Sequence, residues 1–250
     1  MLGIMGGLTH TSEHEQLYSV AVDGTNDVLD TNDTFQSTFQ GSFSVSVWVN
    51  ISDATPSTNQ CIWGASSANG TNKLYLIYLT NGSWYHYFKA NNDVAQNNIF
   101  AGNLEGNDPT GWINVVTVVT NHDPASTGAS QLQTYINGEI GDSDKAALTG
   151  ANHTLYASGA NVMVGAYSNN GTPTLDMTGK VSDFAIWDVA LGADAVAVIY
   201  NAGKPFDLTS DRGDYNNASD LVSYYKMNDG SGTTAVDTMG NSNGSLASDA

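Results

Sequence analysis

Apolar residues recur at every second position through most of the chain and at helical spacing in one place. Phe43, Val45, Val47, Val49 and Ile51 alternate with Ser42, Ser44, Ser46, Trp48 and Asn50, the period of a strand with one buried face. Segments 61–64, 73–79 and 84–89 predict a meander, and Asn81-Gly82 supplies a tight turn between the last two. The run 74–79 is almost continuously apolar, as in a strand covered on both sides. Strands at 111–121 and 132–140 flank the polar loop 122–130, with Asn137-Gly138 as a second hairpin turn. Later strands follow at 162–167 and 177–188. Only then does the period change. Val196, Ile199 and Tyr200 fall at i, i+3 and i+4, which predicts one short helix over 193–202. Gly203 is the expected left-handed stop, and Pro205 forbids continuation. The pattern predicts an all-β jelly roll of two facing antiparallel sheets with a single short helix.

A chain of 250 residues suits one large sandwich or two small domains. Residues 207–250 are too few for a second sandwich, so a closing strand of the same domain is expected there. A strand lent to a neighbouring subunit and the start of a truncated repeat are the alternatives. The domain is therefore taken as 17–250. Residues 1–16, Gly-rich with Leu2, Ile4, Met5 and Leu8, are expected to form a docking tail, with simple disorder as the other reading. The first residues contain no Lys or Arg and no small-residue cleavage site after an apolar core, so no export leader is expected. The net charge is −18, from 25 acidic and 7 basic residues, which disfavours nucleic acid and anionic membranes as partners. No apolar run is long enough to insert into a membrane. The single cysteine, Cys61, lies in an apolar strand pattern and reads as a small buried hydrophobe.

Four stretches carry a resemblance. The segment 179–206, GKVSDFAIWDVALGADAVAVIYNAGKPF, resembles the last strand and helix of laminin G-like domains, within the concanavalin A-like lectin/glucanase superfamily. YSVAVDGTNDVLD at 18–30 resembles that family's opening strand, and SFSVSVWVNIS at 42–52 its next core strand. The hairpin at 111–143, which begins GWINVVTVVTN and ends LQTYINGEIGDS, resembles its "W-x-H-V-A-x-T … Y-V-N-G" element. The segment 221–248 is similar to the family's usual opening, although it stands here near the carboxyl end. The resemblance implies a concanavalin A-like jelly roll. That fold hosts lectins, hydrolases, adhesion modules and phage structural proteins, so it does not fix a function. Asn/Gly/Thr-rich chains of this kind look similar to structural proteins of marine tailed phages. The expectation is a non-enzymatic virion surface protein, a capsid decoration or fibre component assembled in the host cytoplasm. Its partners would be capsid or fibre proteins, further copies of itself and glycans. The alternative is an extracellular, secreted or surface calcium-dependent carbohydrate-binding module of a bacterial protein.

The residues that could carry chemistry are few. Hydrolases of the superfamily place two carboxylates across the scissile bond through an E-x-D-x-E strand motif. The four glutamates, Glu13, Glu15, Glu105 and Glu139, lie in no such motif, so glycoside hydrolysis is not expected. No nucleophile elbow, H-E-x-x-H or phosphate loop is present. His10 and His14 flank Glu13 at metal-binding spacing but belong to the tail. Laminin G-like domains often hold calcium at the rim of the sandwich, and calcium takes hard oxygen ligands. Two oxygen-rich turns are candidates: Asp23, Asn26 and Asp27 in one, Asp237, Asn241 and Asn243 in the other. Their plainer reading is turn residues bonding their own backbone. For glycans, an aromatic platform with polar neighbours is needed. Trp84 at the NGSW turn, with Tyr85 or Tyr87 according to which faces outward, is the candidate set, and packing in the core is the plainer reading.

Overall fold

A computed structural model describes residues 19–53, 55–66, 73–89, 97–103, 111–120, 130–141, 146–148 and 159–247, with the backbone path alone at 89, 97–103, 130 and 146–148. In chain order the strands are β1 (Val20–Asp23), β2 (Val28–Asp30), β3 (Phe43–Ile51), β4 (Gln60–Ser66), β5 (Lys73–Tyr78), β6 (Ser83–Lys89), β7 (Asn97–Asn103), β8 (Trp112–Thr120), β9 (Ser130–Ile136), β10 (Glu139–Ile140), β11 (Ala146–Leu148), β12 (Met163–Val164), β13 (Tyr167–Asn169), β14 (Thr172–Thr174), β15 (Thr178–Trp187), β16 (Leu221–Tyr225), β17 (Thr234–Ala235) and β18 (Gly244–Ala247). Helix α1 (Ala193–Tyr200) stands between β15 and β16.

The strands make two sheets. The first runs β1-β15-β3-β8-β9-β10, with β16 along β15 and β11 along β9. The second runs β17-β18-β2-β12-β4-β5-β6-β7, and the hairpin β13–β14 joins it through β13 and β4. Among the described strands that last contact is the parallel one, and the others are antiparallel. Residues 207–247 return into both layers: β16 pairs with β15, and β18 pairs with β2. The main core lies between the sheets. Val45, Val47 and Val49 of β3 and Val181 and Ile186 of β15 face Leu74, Leu76, Trp84 and Phe88 of the second sheet. Each such buried side chain contributes about 1.5–3 kcal/mol of transfer free energy.

The alternation in β3 was expected to leave one face in water. Instead Ser44, Ser46 and Trp48 are buried as well. The reason is a third layer. Helix α1 and the chain that follows fold back over the first sheet, setting Val196, Ile199, Phe206 and Tyr215 against Val116, Trp187 and Tyr224. The buried serines are satisfied locally: Ser44 Oγ donates to Val189 O at 2.9 Å and accepts the Leu191 N–H at 2.9 Å. The helix ends sooner than its sequence suggests. The left-handed region begins at Asn201 (φ 46°) and runs through Ala202 (φ 53°) to the expected Gly203 (φ 87°); asparagine tolerates that region, and its Nδ2 donates to Lys204 O at 2.7 Å.

Candidate functional site: the uncovered sheet face

Among the described residues no helix lies over the second sheet. Strand parity on β5 and β6 sends Leu74, Leu76, Tyr78, Trp84 and Phe88 into the main core. The residues between them, Tyr75, Ile77, Tyr85 and Tyr87, gather on the outer side with Cys61, Leu79, Tyr167 and Leu175. Tyr75 stands between two other rings. Its centroid is 5.2 Å from that of Tyr87, with an interplanar angle of 22°, and 4.5 Å from that of Tyr167, at 14°. Tyr167 reaches this row because β13 pairs parallel to β4, with Ser168 opposite Ala65. Gly64 makes room: it sits opposite Tyr75 at φ +153°, and a β-carbon there would overlap Cβ of Tyr75 and lie 2.5 Å from Leu74 O.

The electrostatics of the row follow from burial. Tyr75 is only 6% exposed, and burial pushes its phenol well above the ordinary range, helped by Tyr167, Cys61 and Tyr87. Burial also raises Tyr167, against a hydrogen bond with the Thr174 side chain. Cys61 forms part of the floor, fully buried, with Sγ 3.3 Å from Leu76 O. Burial holds its thiol high, so it is a packing residue and not a nucleophile. At the margin, burial lifts the Asp176 carboxyl above the usual range, opposed by hydrogen bonds from backbone amides that include Asn26. One oxygen of Asp176, Oδ1, has no partner. Raised above their ordinary values, the two phenols and the thiol stay protonated near neutrality. The face offers stacked rings, phenolic hydroxyls and a carboxylate, which is binding chemistry.

The candidate residues from the sequence fall in different places. Tyr85 and Tyr87 share the outer face, since two-residue spacing keeps them on one side. Trp84 does not belong with them, and this corrects the glycan set. It is fully buried and packs on Tyr78 at 5.0 Å, because β6 begins at Ser83 and parity turns Trp84 inward with His86 and Phe88. The tail residues Leu2, Ile4, Met5 and Leu8 lie outside the described residues. Tyr75 and Tyr167 were not singled out by sequence. The stack joins positions 92 apart in the chain through a parallel pairing that no local pattern announces.

The two oxygen-rich turns are built for their own backbone. Asp237 is 2% exposed and its carboxylate accepts four amides: Tyr224 and Met239 on Oδ1, Asn241 and Ser242 on Oδ2. Asn243 Oδ1 accepts the amide of Asp237, and Asn241 Nδ2 bonds Val222 O. The Asp237 carboxylate, one member of the second calcium set, is thus spent on the backbone of its own turn. In the first turn Asp23 Oδ1 accepts the Thr25 amide and Asp27 Oδ2 that of Asp23, with Asn26 at φ 59°. Among the described residues no three acidic, histidine or cysteine side chains gather to hold a metal ion.

A laminin G family model, described as the concanavalin A-like lectin/glucanases superfamily, matches residues 23–197. The chain belongs to that superfamily. Several solved structures share its fold. A Bacteroides ovatus protein described as a candidate carbohydrate binding protein superposes with a TM-score of 0.62 at 17% identity, over 92% of this chain and 58% of that one. The chain thus spans less than two thirds of that protein. The CBM40 module of a Ruminococcus gnavus IT-sialidase gives 0.57 at 12% identity, over 73% and 96%. A heptameric pentraxin of Limulus polyphemus gives 0.52 at 13% identity, over 92% and 94%. At these identities the likeness is one of fold. No curated protein sequence matches the chain.

Proposed function

We propose that the protein is a non-catalytic glycan-binding module that holds a saccharide against the uncovered face of its second sheet. The observation that carries this reading is the row Tyr87–Tyr75–Tyr167 on that face. Aromatic rings pack the apolar C–H surface of a pyranose, and phenols exchange hydrogen bonds with its hydroxyls. Membership of a lectin-like superfamily and the carbohydrate-binding descriptions of the Bacteroides and Ruminococcus proteins support it. Catalysis is not part of the reading: Glu139, the one glutamate among the described residues, is exposed at a hairpin and has no glutamate beside it.

The setting is the finer part of the proposal. The acidic surface suits a virion exposed to saline water, with the module as a decoration or fibre component in a homo-oligomer. The alternative is a secreted or surface module of a bacterial protein. Both would use the same face. The test is retention on a panel of immobilised oligosaccharides, for the wild type and for a Tyr85→Ala/Tyr87→Ala double variant. Retention that the double variant loses, at unchanged melting temperature, supports the reading. Retention indifferent to both tyrosines, or none on any glycan, overturns it. Binding to purified virions against binding to bacterial cell walls then separates the two settings.

A further inference from the structure

We propose that the notch between β1 and β16, at the open edge of the sandwich, is a binding pocket for a compact aliphatic amine. Both strands pair with one edge of β15, since β3 occupies the other: Val20 is opposite Val181, and Tyr225 is opposite Phe184. The end of β16 and the start of β1 therefore face each other across Ser182 and Asp183, which pair with neither strand. The chain leaves β16 by turning at Met227, whose φ of 56° lies in the left-handed region. A cavity of about 200 Å³ opens there, with Thr234 of β17 and Leu246 of β18 in its wall. Those two strands are the edge of the second sheet, so the cavity lies where both layers end.

The floor of the cavity is apolar and its rim is not. Met227 belongs to the main core, and Val20 and Leu246 pack against that core. The rim carries Asp229, Ser231 and Thr234, all exposed. Among the described residues the Ser231 and Thr234 hydroxyls bond nothing, and Asp229 Oδ1 is free as well. Asp229 Oδ2 alone is engaged, accepting the Val236 amide at 3.3 Å. No basic side chain stands among the described lining residues to neutralise the carboxylate. Position sets Asp229 apart from the other aspartates. Asp207 is held by Lys226 at 2.9 Å, and the exposed Asp188 and Asp194 do not line the cavity. The volume is below the about 300–1,000 Å³ of sites for drug-sized ligands, so the occupant is compact. A short alkyl chain covers the floor and removes it from water. An ammonium at its end donates to Asp229 Oδ1 and to the two hydroxyls, matching three donors to three acceptors. In a chain of net charge −18 a cation is attracted everywhere, and the apolar floor decides where it stays.

The pocket does not depend on the glycan reading. The test is a titration of the full chain followed by backbone amide chemical shifts. The probes are cadaverine, the diol of the same chain length, and methylamine. Cadaverine should shift the Gly230, Gly232 and Leu246 amides saturably. The diol, which lacks the charge, and methylamine, which lacks the chain, should each bind at least about tenfold more weakly. Asp229→Asn should weaken cadaverine about tenfold or more, while asparagine keeps an acceptor for the Val236 amide. Asp188→Asn removes the same charge from the open surface and should bind cadaverine as the wild type does, as should Tyr85→Ala/Tyr87→Ala. No saturable shift at these amides, methylamine binding as tightly as cadaverine, or equal weakening by Asp188→Asn each overturns the pocket. Loss of cadaverine binding in the tyrosine variant alone also overturns it and leaves the tyrosine face in place.

Discussion

The sandwich has two outward sheet faces, and they are finished in opposite ways. On the first sheet Val116 and Val118 of β8, Ala185 and Trp187 of β15 and Leu221 and Tyr224 of β16 lie under α1 and residues 206–215. Polar groups trapped there are answered from within: Trp187 Nε1 donates to Tyr215 Oη at 3.1 Å, and Tyr215 donates onward to Leu208 O at 2.8 Å. Tyr224 donates to the buried Asp183 carboxylate at 2.5 Å. On the second sheet the outer positions of β5 and β6 carry tyrosines that stack on one another and stay partly open. A covered face spends its polar groups on the fold, so damage there registers as lost stability. An uncovered aromatic face keeps some of its chemistry for a ligand, so damage there registers as lost binding.

The contrast breaks most visibly at Trp187. Trp187→Ala opens a cavity under the helix and removes the N–H that the Tyr215 hydroxyl accepts, and should cost about 3–5 kcal/mol in urea unfolding. Tyr87→Ala, at the partly exposed end of the row, should cost no more than about 1 kcal/mol while abolishing glycan retention. Equal costs for the two would make the tyrosine row a core like any other. Next in size is Asp237→Ala. Four amides, including that of Tyr224 under the helix, lose their acceptor at once, for about 3 kcal/mol by chemical denaturation. Calcium should not restore the loss. Gly64→Ala sharpens the other side of the comparison. It forces a β-carbon against Tyr75 at a φ that favours glycine, and should cost about 1–3 kcal/mol. Its tyrosine near-ultraviolet dichroism should fall as the stack separates.

Period-two alternation was enough to foresee two sheets, and the single change of period foretold the helix. What stayed hidden was where that helix lies. Ser44 and Ser46 look solvent-facing because they are polar, yet they are roofed over and bonded to Val189 O, the Leu191 amide and the Asn114 side chain. Trp84 misled because a turn, NGS, precedes it, although its spacing from His86 and Phe88 already put it on the inner face. Tyr85 and Tyr87 were legible by the same parity. Tyr167 was not, since its place depends on a parallel pairing between distant strands.

The smallest effect expected lies on the strand that joins core and open face. His86 sits between Tyr85 and Tyr87 on β6 and points the other way, fully buried, its Nε2 3.2 Å from Thr117 Oγ1 across the sandwich. Its Nδ1 has no partner, and burial lowers its pKa from 6.5 to about 3. The unfolded chain therefore binds a proton near pH 6.5 that the folded chain refuses until about pH 3. The stability that comes from keeping His86 neutral is whole above 6.5 and erodes by up to about 1.4 kcal/mol for each pH unit below it. Urea midpoints between pH 7.5 and 4.5 should fall more steeply for the wild type than for His86→Gln. Carboxylates titrate alike in both proteins, so the difference in slope isolates the histidine even if the variant starts lower. Parallel slopes would mean that protons enter the core at no cost, and that β6 is not held rigidly between a sealed inner side and an open outer one.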